Sequence, residues 1–151
     1  MSRTPARVAS GDLAAVLWQL LDASSREDST AFLTLLDDAE QGLAESPEPR
    51  WNAWRHALVA RRALIESDPE AVAEAVAAAR EALDRCPPSP DTALTLAYLA
   101  HVEVTADHFD AAMLLAVDAS LLTEGPTAGE PGRALHQAHR WLSLALSGLD
   151  L

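Results

Sequence analysis

Pro49, Pro90 and Pro131 stand 41 residues apart, and each opens a stretch of helical patterning in which its missing N–H falls harmlessly in the first turn. A fixed period of that length confines the chain to repeated supersecondary units, because no unit can bury its apolar face alone and each must lean on the next. Further breaks at "SSREDS" (24–29), "ESDPE" (66–70) and "TADHFD" (105–110) divide each block in two and recur about 40 residues apart. The chain therefore reads as helices over 11–24 and 29–45, 50–66 and 69–85, and 91–106 and 109–123, with a seventh over 133–147. Short turns force each pair into an antiparallel hairpin. For the fourth helix, Ser67 with Glu70 offers a capping box, and Asp68 before Pro69 offers an alternative start.

The side chains agree with an all-α fold. Apolar residues make up 49% of the chain but are mostly Ala and Leu, with only 5% aromatics, which suits helices packed through small contacts better than a sheet. At 151 residues the chain is long enough to bury one core. A formal charge of −12 repels phosphates, so nucleic acid is excluded as a partner. The N-terminal run "LAAVLWQLL" follows two Arg residues as a signal peptide would, but Asp12 and Gln19 interrupt it, and no run approaches a membrane span. A cytoplasmic protein with no membrane partner is expected, and the lone Cys86 suits a reducing compartment as an ordinary helix-end thiol.

Aligning the second helices at a shift of 40 places Phe32, Leu36 and Ala39 over Val72, Val76 and Ala79, and over Ala112, Ala116 and Ala119. The fourth helix is two-faced, with Val72, Ala75, Val76, Ala79 and Leu83 opposite Glu70, Glu74, Arg80, Glu81, Asp84 and Arg85. The sixth differs: from Phe109 onward "FDAAMLLAVDASLL" is apolar or small at nearly every angle, which predicts neighbours on both sides.

Leu96, Leu99 and Ala100, followed by Ala112, Ala116 and Ala119, resemble the small and apolar positions of the tetratricopeptide repeat, and "DHFDAA" resembles that family's turn. Glu103 stands where the family usually carries an aromatic residue. The resemblance implies antiparallel hairpins stacked as a short right-handed superhelix: a tail over 1–9, three helix pairs over 10–128, and a linker with a capping or half-repeat helix over 129–151. It also implies a concave groove lined by the first helix of each pair. The positions facing that groove would be Trp18, Trp54, Leu58, Arg61, Tyr98 and His101, aromatic anchors beside a cation, suited to a peptide or protein with an acidic group. A competing role stays open for the same residues, since Trp at helical spacing more often packs a core.

Signals for chemistry are sparse. His136 and His139 are three apart, yet no carboxylate joins them at metal-ligand spacing. Neither a Gly-x-Ser-x-Gly elbow nor a phosphate-cradling glycine loop occurs, and the carboxylates of "DDAE" at 37–40 diverge around a helix. His108, in a turn, reads as solvated. No cofactor and no enzymatic activity are expected. The seventh helix gathers Leu135, Ala138, Trp141, Leu142 and Ala145 on one face; as a half-repeat it would leave that face open to a second copy. The chain is similar to the N-terminal sensory regions of actinobacterial signalling proteins, such as GGDEF diguanylate cyclases and large transcription activators. A regulatory module that binds a peptide, partner protein or small signal is therefore expected. The alternative is a homodimerisation domain, working through the seventh helix and attached to a signalling output domain.

Overall fold

A computed structural model describes residues 12–124 and 132–150. The tail over 1–9, and all of the linker from 129 except residue 132, lie outside the described residues. Seven helices are present and, among the described residues, no strand: α1 (Leu13–Ser25), α2 (Ser29–Glu45), α3 (Pro49–Ile65), α4 (Pro69–Leu83), α5 (Pro90–Thr105), α6 (Phe109–Glu124) and α7 (Arg133–Gly148). None of these helices is long and apolar enough to cross a membrane.

Local chemistry explains where the helices start and stop. Pro49, Pro69 and Pro90 each occupy the first turn of their helix. Asp28 and Asp68 cap α2 and α4 by accepting from Ala31 N and Ala71 N at 3.1 Å, and Ser89 caps α5 by accepting from Thr92 N. Asp68, and not a Ser67–Glu70 box, starts α4. The first helix of each pair ends in the same way: Glu27, Ser67 and Asp107, spaced 40 apart, take positive φ of 56°, 57° and 63°. The following N–H groups of Asp28, Asp68 and His108 donate to Ala23 O, Ala63 O and Glu103 O, the six-to-one bond of a Schellman turn. The internal repeat is thus present in backbone geometry as well as in sequence.

Within hairpins, α1 packs on α2, α3 on α4 and α5 on α6; between hairpins, α2 meets α3, α3 meets α5, and α7 lies against both α5 and α6. Helix α5 is the pillar of the core, since every residue from Thr92 to Ala100 is buried. Phe32, Leu36 and Ala39, Val72, Val76 and Ala79, and Ala112, Ala116 and Ala119 all face inward, as the 40-residue alignment requires. Small residues let the helices approach closely: an added Cβ at Gly148, near the end of α7, would lie 2.3 Å from Val104 Cγ1 of α5. Surface ion pairs join neighbouring hairpins, with Arg62 reaching Glu40 and Arg80 reaching Asp118 at 3.3 Å.

Two expectations need correction. Helix α6 packs on both its hairpin partner α5 and the following α7, but Phe109, Met113, Leu114, Val117 and Leu121 are 37–65% exposed, so these neighbours do not bury most of its circumference as expected. The apolar face of α7 is not open: Ala138, Trp141, Leu142 and Ala145 are buried and Leu135 is half-buried, because this helix lies on α5 and α6 and uses the seam inside its own chain.

Candidate functional site

The expected groove is filled. Trp54, Leu58 and Tyr98 are closed to solvent. Trp54 meets Tyr98 with ring centroids 5.9 Å apart, and Tyr98 meets Trp141 edge-on at 4.9 Å, so α7 drives an aromatic side chain into the space a groove would need. Burying these rings contributes several kcal/mol of apolar transfer, on the order of 2 kcal/mol per large side chain. Their place in the interior follows from that gain, and as folded they touch no ligand. The core reading therefore holds for these three.

Arg61 and His101 sit one turn further along α3 and α5. Arg61 is 8% exposed, makes no ion pair among the described residues and leaves its Nε without a partner. It faces Tyr98 and His101 electrostatically. The imidazole of His101, packed 5.1 Å from the Trp141 ring, is held below its ordinary pKa by burial first, then by Arg61, with Glu27 opposing. His101 Nδ1 and Trp141 Nε1 are likewise buried without partners. These two ring nitrogens and the guanidinium form the least satisfied polar region of the interior among the described residues.

Trp18 is the one expected groove aromatic that reaches an open surface. It lines a cleft of about 640 Å³ at the end of the molecule where the N-terminal turns of α3, α5 and α7 meet. Pro49 and Arg50, Pro90 and Asp91, and Arg133 supply these three walls. Proline rings at the helix starts are cheap there and rigidify the rim. Arg133 lies over the Trp18 ring at 4.3 Å and makes no ion pair among the described residues. Arg50 stacks on Trp51 at 4.1 Å and is tied to Asp91 at 3.4 Å. The Asp91 carboxylate also accepts from Trp54 Nε1 at 3.3 Å; burial raises its pKa, and Arg50 and the indole only partly offset that. Among the described residues Arg133 is thus the cleft cation without an acidic partner, with Trp18 as an apolar platform beneath it.

Cys86 borders the same cleft, half-buried. Burial, and then Asp91, push its thiol pKa up, away from thiolate character, with Arg50 opposing. His108 is not a free turn histidine: its Nδ1 lies 3.1 Å from Oε1 of the buried Glu103, a carboxylate that requires such a partner. His136 and His139 are exposed, and Glu40 turns to Arg62 while Asp37 and Asp38 face solvent. Among the described residues no group of three or more His, Cys, Asp or Glu is placed to hold a metal.

Sequence reasoning missed Arg50, Asp91 and Arg133 as cleft residues. The available signal was the set of "P-R", "P-D" and "P-G-R" helix starts, which share one end of the molecule only if the first helices run parallel. No family model matches this chain, and no curated protein or solved structure matches it either.

Proposed function

We propose that this chain is a non-enzymatic, tetratricopeptide-like interaction module that binds a peptide, partner protein or small signal carrying an acidic group. The observation that carries this reading is the end cleft, where Trp18 and Arg133, which makes no ion pair among the described residues, stand together in a space of about 640 Å³. That volume lies within the range of ordinary ligand sites. The binding surface moves from the length of the first helices to their N-terminal ends, because the length is filled by aromatic packing. The resemblance to sensory regions of signalling proteins supports a regulatory role in which occupancy of the cleft reports to an attached or neighbouring partner.

The test is a fluorescence-anisotropy screen of labelled short peptides with an aromatic residue beside Asp or Glu, run against the chain and its Trp18→Ala and Arg133→Ala variants. Arg133 is exposed, whereas Trp18 is half-buried against the core, so a thermal melt of each variant accompanies the titration and separates lost binding from lost folding. Acid-dependent binding that each substitution weakens at least tenfold supports the reading. Binding that ignores both substitutions, or none across the screen together with no molecule retained in native mass spectrometry, overturns it.

A further inference from the structure

We propose that the outer face of α6 docks an amphipathic helix with basic flanks, supplied by another protein. Phe109, Met113, Val117 and Leu121 recur at four-residue steps and Leu114 joins them, so five large apolar side chains form one continuous exposed stripe. Single exposed apolar residues need no explanation, but a contiguous row along an entire helix marks an interaction surface. From Phe109 to Leu121 the stripe runs about 18 Å, the length over which a partner helix presents three or four anchors spaced i, i+4 and i+7. Beside it, between α4 and α6, runs a trough of about 430 Å³ lined by Leu83, Leu96, Leu121 and Leu122, wide enough to take an apolar side chain from the partner.

Charge identifies the occupant. Helix α6 carries no basic residue; Asp110 and Asp118 lie on it, Asp107 precedes it and Asp84 stands across the trough. Asp118 and Arg80 offset each other as an ion pair at 3.3 Å, which leaves Asp84, Asp107 and Asp110 as the acidic groups around the stripe. The rim is therefore acidic around an apolar centre, which favours a helix flanked by Arg or Lys and adds a salt-sensitive association rate. A second copy of this chain would set acid against acid and bring the same charge of −12. No residue of α6 lines the end cleft, so this surface does not depend on the function proposed above.

The probe is an 18-residue synthetic helix with four Leu on one face and Arg on both flanks, compared with the same peptide carrying Glu for Arg. Titration of the full chain should give at least tenfold tighter binding of the Arg peptide, weakening as salt is raised. The Val117→Ser and Leu121→Ser double variant changes no charge and touches only exposed positions, so it should melt as the parent does yet bind at least tenfold more weakly. Failure of the Arg peptide to bind, equal affinity for both peptides, or undiminished binding by the double variant overturns the proposal. Concentration-dependent dimerisation, in analytical ultracentrifugation, that the double variant abolishes also overturns it by assigning the stripe to a second copy.

Discussion

The hydroxyls of Ser24 and Tyr98 lie 2.8 Å apart in the buried interior although 74 positions separate them, joining the end of the first helix to the middle of the fifth. The bond satisfies a phenol that burial would otherwise leave stranded, at a cost of about 1–3 kcal/mol. Tyr98 is the only tyrosine in the chain, and burial rather than this bond dominates its ionisation.

Burial pushes the Tyr98 pKa up to about 12 from 10, with Arg61 and the Ser24 hydroxyl opposing. The folded chain therefore holds its phenolic proton where the unfolded chain has lost it, and stability falls as pH rises from 10 towards 12. Absorbance at the tyrosinate band should stay flat through pH 10 and rise only near 12 or with unfolding. Ionisation of the folded chain at pH 10 would contradict this burial. Tyr98→Phe should remove the alkaline loss while costing about 1 kcal/mol at neutral pH.

His101 shifts in the other direction. Its folded pKa lies below the unfolded 6.5, so the unfolded chain binds more protons and stability falls as pH drops from about 6.5 through the folded value. His56, lowered by burial and by Arg55, adds to the same acid sensitivity. Denaturant midpoints measured between pH 7.5 and 5 should decline, and His101→Gln should flatten part of that slope. An unchanged slope in the variant would place the sensitivity elsewhere.

Glu27, Ser67 and Asp107 hold left-handed backbone that glycine adopts at no steric cost. Replacing any one with Gly should stabilise the chain by roughly 0.5–1 kcal/mol, the relief of strain outweighing the added freedom of the unfolded state. Asp68→Ala, which loses the cap of α4, should cost about 1 kcal/mol. Chemical denaturation distinguishes the two signs directly.

Gly148→Ala should destabilise by about 1–3 kcal/mol even though alanine is the better helix former, because its Cβ would strike Val104. Val104→Ala in the same chain should recover part of the loss. A double-mutant cycle with no coupling between the two positions would show that α7 does not sit this close to α5.

Helix boundaries and inward positions were legible because proline, Asp and the 3.6-residue period act locally: Pro49, Pro69 and Pro90 mark helix starts in sequence and in space. Faces that depend on a distant neighbour were not. Apolarity all round α6 reads as burial over most of its circumference, yet α5 and α7 cover only its inner face and leave Phe109, Leu114 and Leu121 bare. Trp54 and Tyr98 carry the pattern of groove residues, and only the arrival of Trp141 from α7, more than 40 positions beyond Tyr98, turns them into core. His108 looked solvated because its partner, Glu103, lies across a Schellman turn whose left-handed residue is Asp107 rather than glycine.

Arg140 of α7 donates to Ser25 Oγ at 2.6 Å, and Arg133 covers Trp18, so two side chains of the last helix reach the first. Open repeat arrays lengthen by duplicating a unit, since each unit answers only to its immediate neighbours. Here α7 also touches α1 through Arg133 and Arg140, so a disturbance at the last helix reaches the first without passing through the hairpins between them.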